Sequence, residues 1–102
     1  MLDMMKKLQQ AQAEMGKIKD RLETITVEGS SPEGKIKVTV NGNRIVKGME
    51  VVDSGLLQDK EMLEDYLVLA VNDALSKAEK VNESEMKSAA SSMMPGLGGM
   101  FK

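Results

Sequence analysis

The sequence predicts an α+β fold: an N-terminal helix, a three-stranded antiparallel meander and a long C-terminal helix. Three observations carry this. Met1, Met4, Leu8, Ala11, Met15, Ile18 and Leu22 alternate in steps of three and four, which is a helical heptad seam. Lys35-Ile36-Lys37-Val38-Thr39-Val40 alternates polar and apolar and ends on Asn41-Gly42, the pattern of a strand entering a hairpin. Finally, Leu63, Leu67, Ala70, Ala74, Ala78 and Val81 recur at helical spacing over the second half of the chain.

Each element follows from its residues. The first helix ends near Glu23, because Thr24-Ile25-Thr26-Val27 is β-branched and favours a strand. Gly29 to Gly34 is a loop by composition. Lys35–Val40 is the second strand, with one wet face; Lys35 and Lys37 there read either as a DNA-facing sheet surface or as charges that protect an edge strand, the second being favoured. Positive φ is expected at Asn41 and Gly42, the central positions of a two-residue turn. The return strand runs from Arg44 to Val52. Val46 and Met49 do not share a face by alternation, so a bulge is expected near Lys47-Gly48. Ser54-Gly55-Leu56-Leu57 is a turn that tucks both leucines inward. Asp59 then caps a helix that reaches about Ser92, with Glu61 in its positive first turn. Residues 1–92 form one domain. Residues 93–102, with Pro95 and three glycines, form a flexible Met- and Gly-rich tail.

Composition narrows the function. The chain has 102 residues with no histidine, cysteine or tryptophan, and its aromatics are Tyr66 and Phe101. That argues against most catalytic mechanisms and rules out a disulfide scaffold. No catalytic residue, metal ligand or cofactor site is assigned, and no small-molecule substrate is expected. Asn72 and Asp73 are read as structural hydrogen-bonding groups, and the acidic cluster Asp59, Glu61, Glu64, Asp65 as helix-start electrostatics. No apolar run approaches the ~20 residues of a membrane span, and charged residues from Asp3 onward interrupt any signal-peptide core. A cytoplasmic protein without a membrane partner is the expectation.

A core built from methionine and short aliphatic residues in a chain this small favours oligomerisation. Tyr66-Leu67-Val68-Leu69-Ala70-Val71 is apolar around the whole circumference, as in a helix covered on two sides. Leu63, Tyr66, Leu67, Leu69, Ala70, Val71 and Ala74 are therefore the candidates for core and dimer contacts. A 22-residue helix is ~33 Å long and a 33-residue helix ~50 Å. Strands of six to eight residues reach ~20–27 Å, so both helices overshoot the sheet as an arm. A two-fold dimer carries two arms.

Net charge is −2, but its distribution is striped. Lys35, Lys37, Arg44 and Lys47 occur without an acid among them, and six acids against one lysine follow between Glu50 and Asp65. Lys6, Lys7, Lys17, Lys19 and Arg21 on the first helix and Lys77, Lys80 and Lys87 on the last are the candidate contacts to a polyanion. Gln9, Gln10, Gln12 and Asn82 are further polar candidates.

The stretch from Glu61-Met62-Leu63-Glu64-Asp65 through Asn72-Asp73-Ala74 to Lys77-Ala78 resembles the signature of the YbaB/EbfC nucleoid-associated proteins. The opening Met4-Met5-Lys6-Lys7-Leu8-Gln9-Gln10-Ala11-Gln12, the hairpin Val38-Thr39-Val40-Asn41-Gly42 and the Pro95-Gly96-Leu97-Gly98-Gly99 tail are similar to that family too, so the likeness covers nearly the whole chain. Val52-Asp53-Ser54-Gly55 departs from the family's usual acid-proline approach to the double leucine. The resemblance implies a tweezer-like homodimer without enzymatic activity. It implies binding of double-stranded DNA with low sequence preference, and a role in organising and regulating the bacterial nucleoid. The competing reading from the residues is a protein-interaction adaptor that grips its partner with the arms and the Met-Phe tail.

Overall fold

The computed structural model describes residues 2–93. Helix α1 (Leu2–Thr24) leads into strands β1 (Thr26–Ser30), β2 (Ile36–Asn41) and β3 (Val46–Val51), and helix α2 (Lys60–Met93) closes the described chain. Short 3-10 turns at Pro32–Gly34 and Ser54–Gln58 join β1 to β2 and β3 to α2. The sheet is antiparallel in the order β1-β2-β3. The expected α+β architecture is therefore present. Met93, expected to begin the tail, instead ends α2; Met1 and residues 94–102 lie outside the described residues.

Ile36, Val38 and Val40 point from β2 onto Ala70, Ala74 and Ala78 of α2, and all six are fully buried. Alanines at four-residue spacing let the helix approach the sheet closely. The approach is closest at β1, where Gly29 meets the backbone of Ala74 and no Cβ has room. β1 accordingly runs on through Gly29 and Ser30, past the expected boundary at Val27. Its last residue is held by α2: the Ser30 N–H donates to Asp73 Oδ2 at 2.9 Å.

Several local expectations are corrected. β2 is the central strand, so Lys37 does not guard an edge; it faces Glu28 of β1 at 3.9 Å. Lys35 sits before β2, between Glu33 and Asp53 and over the Tyr66 ring. Positive φ falls at Arg44 (65°) rather than at Asn41 or Gly42. Arg44 N–H donates to Asn41 O, and the left-handed residue after the turn restores the strand twist. Leu56 is buried but Leu57 is 64% exposed, so the turn tucks in one leucine only. Asp53 caps this turn by accepting from Gly55 N–H.

Other expectations hold. Thr39 pairs with Gly48 and Val40 with Val46, so Lys47 is the extra residue of a bulge. Asp59 Oδ1 accepts from Met62 N–H, the N-cap bond.

The helices overshoot the sheet. The described chain measures 64 × 25 × 17 Å with a radius of gyration of 18.7 Å, against about 13 Å for a compact domain of this length. α1 approaches the hairpin while α2 departs from it: Leu22 packs at Gly42, Asn82 bonds Gly42, and Arg21 meets Glu85. The two helices are thus antiparallel neighbours. The heptad seam is buried at Ile18 and Leu22, half-buried at Ala11, and exposed at Met15, Leu8 and Met4. The seam is covered only where α1 meets α2 and the hairpin at its root; its first half projects.

Candidate nucleic-acid interface

Two flanks of α2 differ in chemistry. Lys77, Lys80 and Lys87 are spaced i, i+3, i+10, which at 100° per residue sets them on one face. That face lies toward β1, because Lys77 Nζ donates to the Glu28 carbonyl at 3.1 Å. The other flank lies toward β3. There Met49, Leu67, Val68, Val71 and Asn72 line a shallow apolar groove. Val46 and Met49 share the helix-facing side of the sheet with their β2 partners Val40 and Val38. α2 nevertheless covers β1 and β2 and leaves β3 bare except at Val51, which packs against the core, with Met49 55% and Val68 58% exposed.

The structure divides the eight predicted cations. Lys6, Lys7, Lys19, Lys80 and Lys87 are exposed, with no ion pair among the described residues. Lys17 reaches Glu14 one turn back at 3.2 Å. Arg21 is held by Glu85 (3.3 Å), tying α1 to α2. Lys77 is held by Asp73 (3.2 Å) as well as by the Glu28 carbonyl. On α1, Lys6 and Lys17 lie three turns apart on the face away from the seam. Arg21 and Lys77 are thus committed to holding the fold, whereas the others are open to solvent.

The acidity of Asp73 is clearly moved. The Ser30 backbone N–H, the Lys77 ammonium and the more distant Lys80 hold its pKa below the usual carboxylate value. Through the Ser30 bond it fastens α2 to β1. No cluster of three potential metal-ligating side chains exists among the described residues, and no described helix is long and apolar enough to cross a membrane.

Of the dimer and core candidates, Ala70 and Ala74 are fully buried. Leu63, Tyr66, Leu67 and Val71 are partly buried against the core, and Leu69 is 48% exposed. Asn82, a polar candidate for DNA, instead donates to the Gly42 carbonyl at 3.0 Å. Sequence reasoning missed the polar cluster around it, formed by Glu23, Asn41 and Asn43. One signal was available: Glu23 puts a negative charge in the last turn of α1, where the helix dipole disfavours it.

Residues 1–93 match the family model described as the YbaB/EbfC DNA-binding family. A nucleoid-associated protein of Flavobacterium johnsoniae is 43% identical over 100 residues, covering 98% of this chain and 93% of the relative. Nucleoid-associated proteins of Chlorobium phaeobacteroides and Hahella chejuensis are each 43% identical, covering 92% and 94% of this chain and 84% and 85% of their own lengths. An uncharacterised Helicobacter pylori protein of known crystal structure superposes with a TM-score of 0.65 at 25% identity, over 76% of this chain and 90% of that one.

Proposed function

Because the chain belongs to the YbaB/EbfC DNA-binding family, a family of nucleoid-associated proteins and not of enzymes, we propose that it grips double-stranded DNA as a homodimer through its helical arms. The observation that carries this reading is the separation of chemistries across α2. An apolar flank beside β3 suits a second copy, while the lysine flank beside β1 stays outside such a contact. Two copies joined by a two-fold axis through the β3 flank then present two projecting arms. Val46, Met49 and Val68, each more than two-fifths exposed, provide the surface that pairing removes from water.

Lys6, Lys7, Lys17 and Lys19 on α1 and Lys80 and Lys87 on α2 supply the phosphate contacts. Arg21 and Lys77 keep the arm in place while adding to its positive field. Lysines on helix surfaces attract phosphate without reading base edges, so sequence preference is low. A low-preference binder of this shape alters the path of the duplex wherever it clamps. That places the protein in the nucleoid within the cytoplasm and lets it influence transcription from the DNA it occupies.

The test is a DNA titration at two salt concentrations beside sedimentation analysis. Affinity falls steeply with salt, by ~0.9 logarithmic units per tenfold salt for each phosphate neutralised. Joint reversal of Lys6, Lys7 and Lys17 to glutamate weakens retention while helix content and mass are unchanged. Unaltered retention in that variant refutes the α1 assignment. A second reading, a protein-gripping adaptor, draws on the bare Leu2, Met4, Met5 and Leu8 of α1. A pull-down yielding a stoichiometric protein partner, with no DNA binding at low salt, favours it instead.

A further inference from the structure

The carbonyls of the last turn of a helix need donors. At the end of α1 Thr24 Oγ1 donates to Arg21 O and Ile25 N–H reaches Leu22 O, and further donors come from the β2–β3 hairpin, twenty residues later. Gly42 N–H donates to both Leu22 O and Ile25 O at 2.9 Å, and Asn43 Nδ2 donates to Lys19 O at 3.0 Å. Glu23 joins the same cluster with both oxygens, accepting from Asn41 Nδ2 (3.2 Å) and Asn43 Nδ2 (2.8 Å). Asn41 is fully buried, and its Oδ1 takes the N–H groups of Asn43 and Ile45. Leu22 closes over Gly42 so tightly that a Cβ there meets its side chain. α2 grips the hairpin from the other side: Asn82 Nδ2 donates to Gly42 O, and Arg44 pairs with Glu79 at 2.7 Å. Arg21–Glu85 joins the two helices beyond the tip.

We propose that this hairpin tip is the joint that sets the direction of the α1 arm relative to α2, and that Glu23 is its positioning residue for DNA binding. The second half of the claim rests on the arms being the DNA-gripping surface. On the N-terminal side of Ile18 the seam is largely uncovered, so the direction of α1 is decided at its root. The lever is long. A tilt of ~10° at the root of a helix ~34 Å in length displaces its far end by ~6 Å, more than the ~3.4 Å rise per base pair. A clamp with that error loses its match to the duplex. The charge of Glu23 sharpens the argument. On electrostatic grounds alone its removal strengthens attraction to a polyanion, so weaker DNA binding without it reports geometry.

Spin labels at Ala13→Cys and Ser84→Cys, in a chain with no native cysteine, read the arm distance directly when labelled copies are diluted with unlabelled ones. In Glu23→Ala the distance distribution broadens or shifts by several ångströms, while Glu23→Gln, which keeps an acceptor, stays near the parent. Affinity of Glu23→Ala for a 30-base-pair duplex drops about three- to tenfold at fixed salt although every lysine remains. An unchanged distance distribution in Glu23→Ala overturns the joint, even where affinity falls. Asn43→Ala, which leaves the buried Asn41 in place, gives the same readout if Glu23→Ala fails to fold. A broadened distribution in a protein whose parent binds no duplex sustains the joint and removes the DNA reading instead.

Discussion

Gly29 on β1 lies against the backbone of Ala74 on α2 with no space for a side chain between them. This contact and the Asp73–Ser30 bond one residue along it lock the long helix to the first strand. The arm is rooted on that platform, so its stability can be tested separately from DNA binding.

Replacement of Gly29 by alanine forces the helix and strand apart at a point where neither is flexible. The expected loss of stability is about 2 kcal/mol or more, the range of core overpacking. Urea denaturation measures it. A change in midpoint no larger than that of a surface substitution contradicts the packing described.

Asp73 predicts a pH dependence of definite sign. Its pKa is lowered in the folded state, so the unfolded chain takes up the proton first as pH falls. The stabilisation is complete above the ordinary value of 3.8 and fades as pH drops through the lower folded value. In urea titrations the parent therefore exceeds Asp73→Asn at neutral pH, and the gap narrows below about pH 4. A gap that is constant with pH shows that Asp73 is not held as a charged group.

The free and committed cations should separate in DNA titrations. Lys7→Ala combined with Lys80→Ala reduces the salt slope by about two units if each meets one phosphate. Arg21→Ala and Lys77→Ala leave the slope close to the parent's, because Glu85 and Asp73 already occupy those groups. Equal slopes for both pairs of variants count against the division.

The β3 flank predicts the dimer contact. Val68→Glu or Met49→Glu introduces a charge into an apolar groove that the folded chain itself leaves open. Each converts the sedimenting species to a single subunit at micromolar concentration while retaining helix content, since an unpaired charge is costly to bury. A dimer of undiminished affinity in both variants places the contact elsewhere.

Periodicity and turn chemistry mark the elements of this protein in the sequence itself. Three-four spacing marked both helices, strict alternation marked β2, and the phase slip between Val46 and Met49 marked the bulge at Lys47, because these signals are local and repeat along the backbone. The signature stretch from Glu61 to Ala78 likewise identified the family. What the tertiary structure alone decided is which groups meet across distance. Arg21 looks like Lys6 in the chain, yet only the fold brings Glu85 against it; Lys77 has Asp73 one helical turn away in the sequence, but only the fold adds the Glu28 carbonyl of β1. Asn82 reads as a surface amide until the hairpin carbonyl of Gly42 arrives forty residues away. An ion pair or a capping bond between distant segments leaves no period in the sequence, because its partners are chosen by packing rather than by chain spacing.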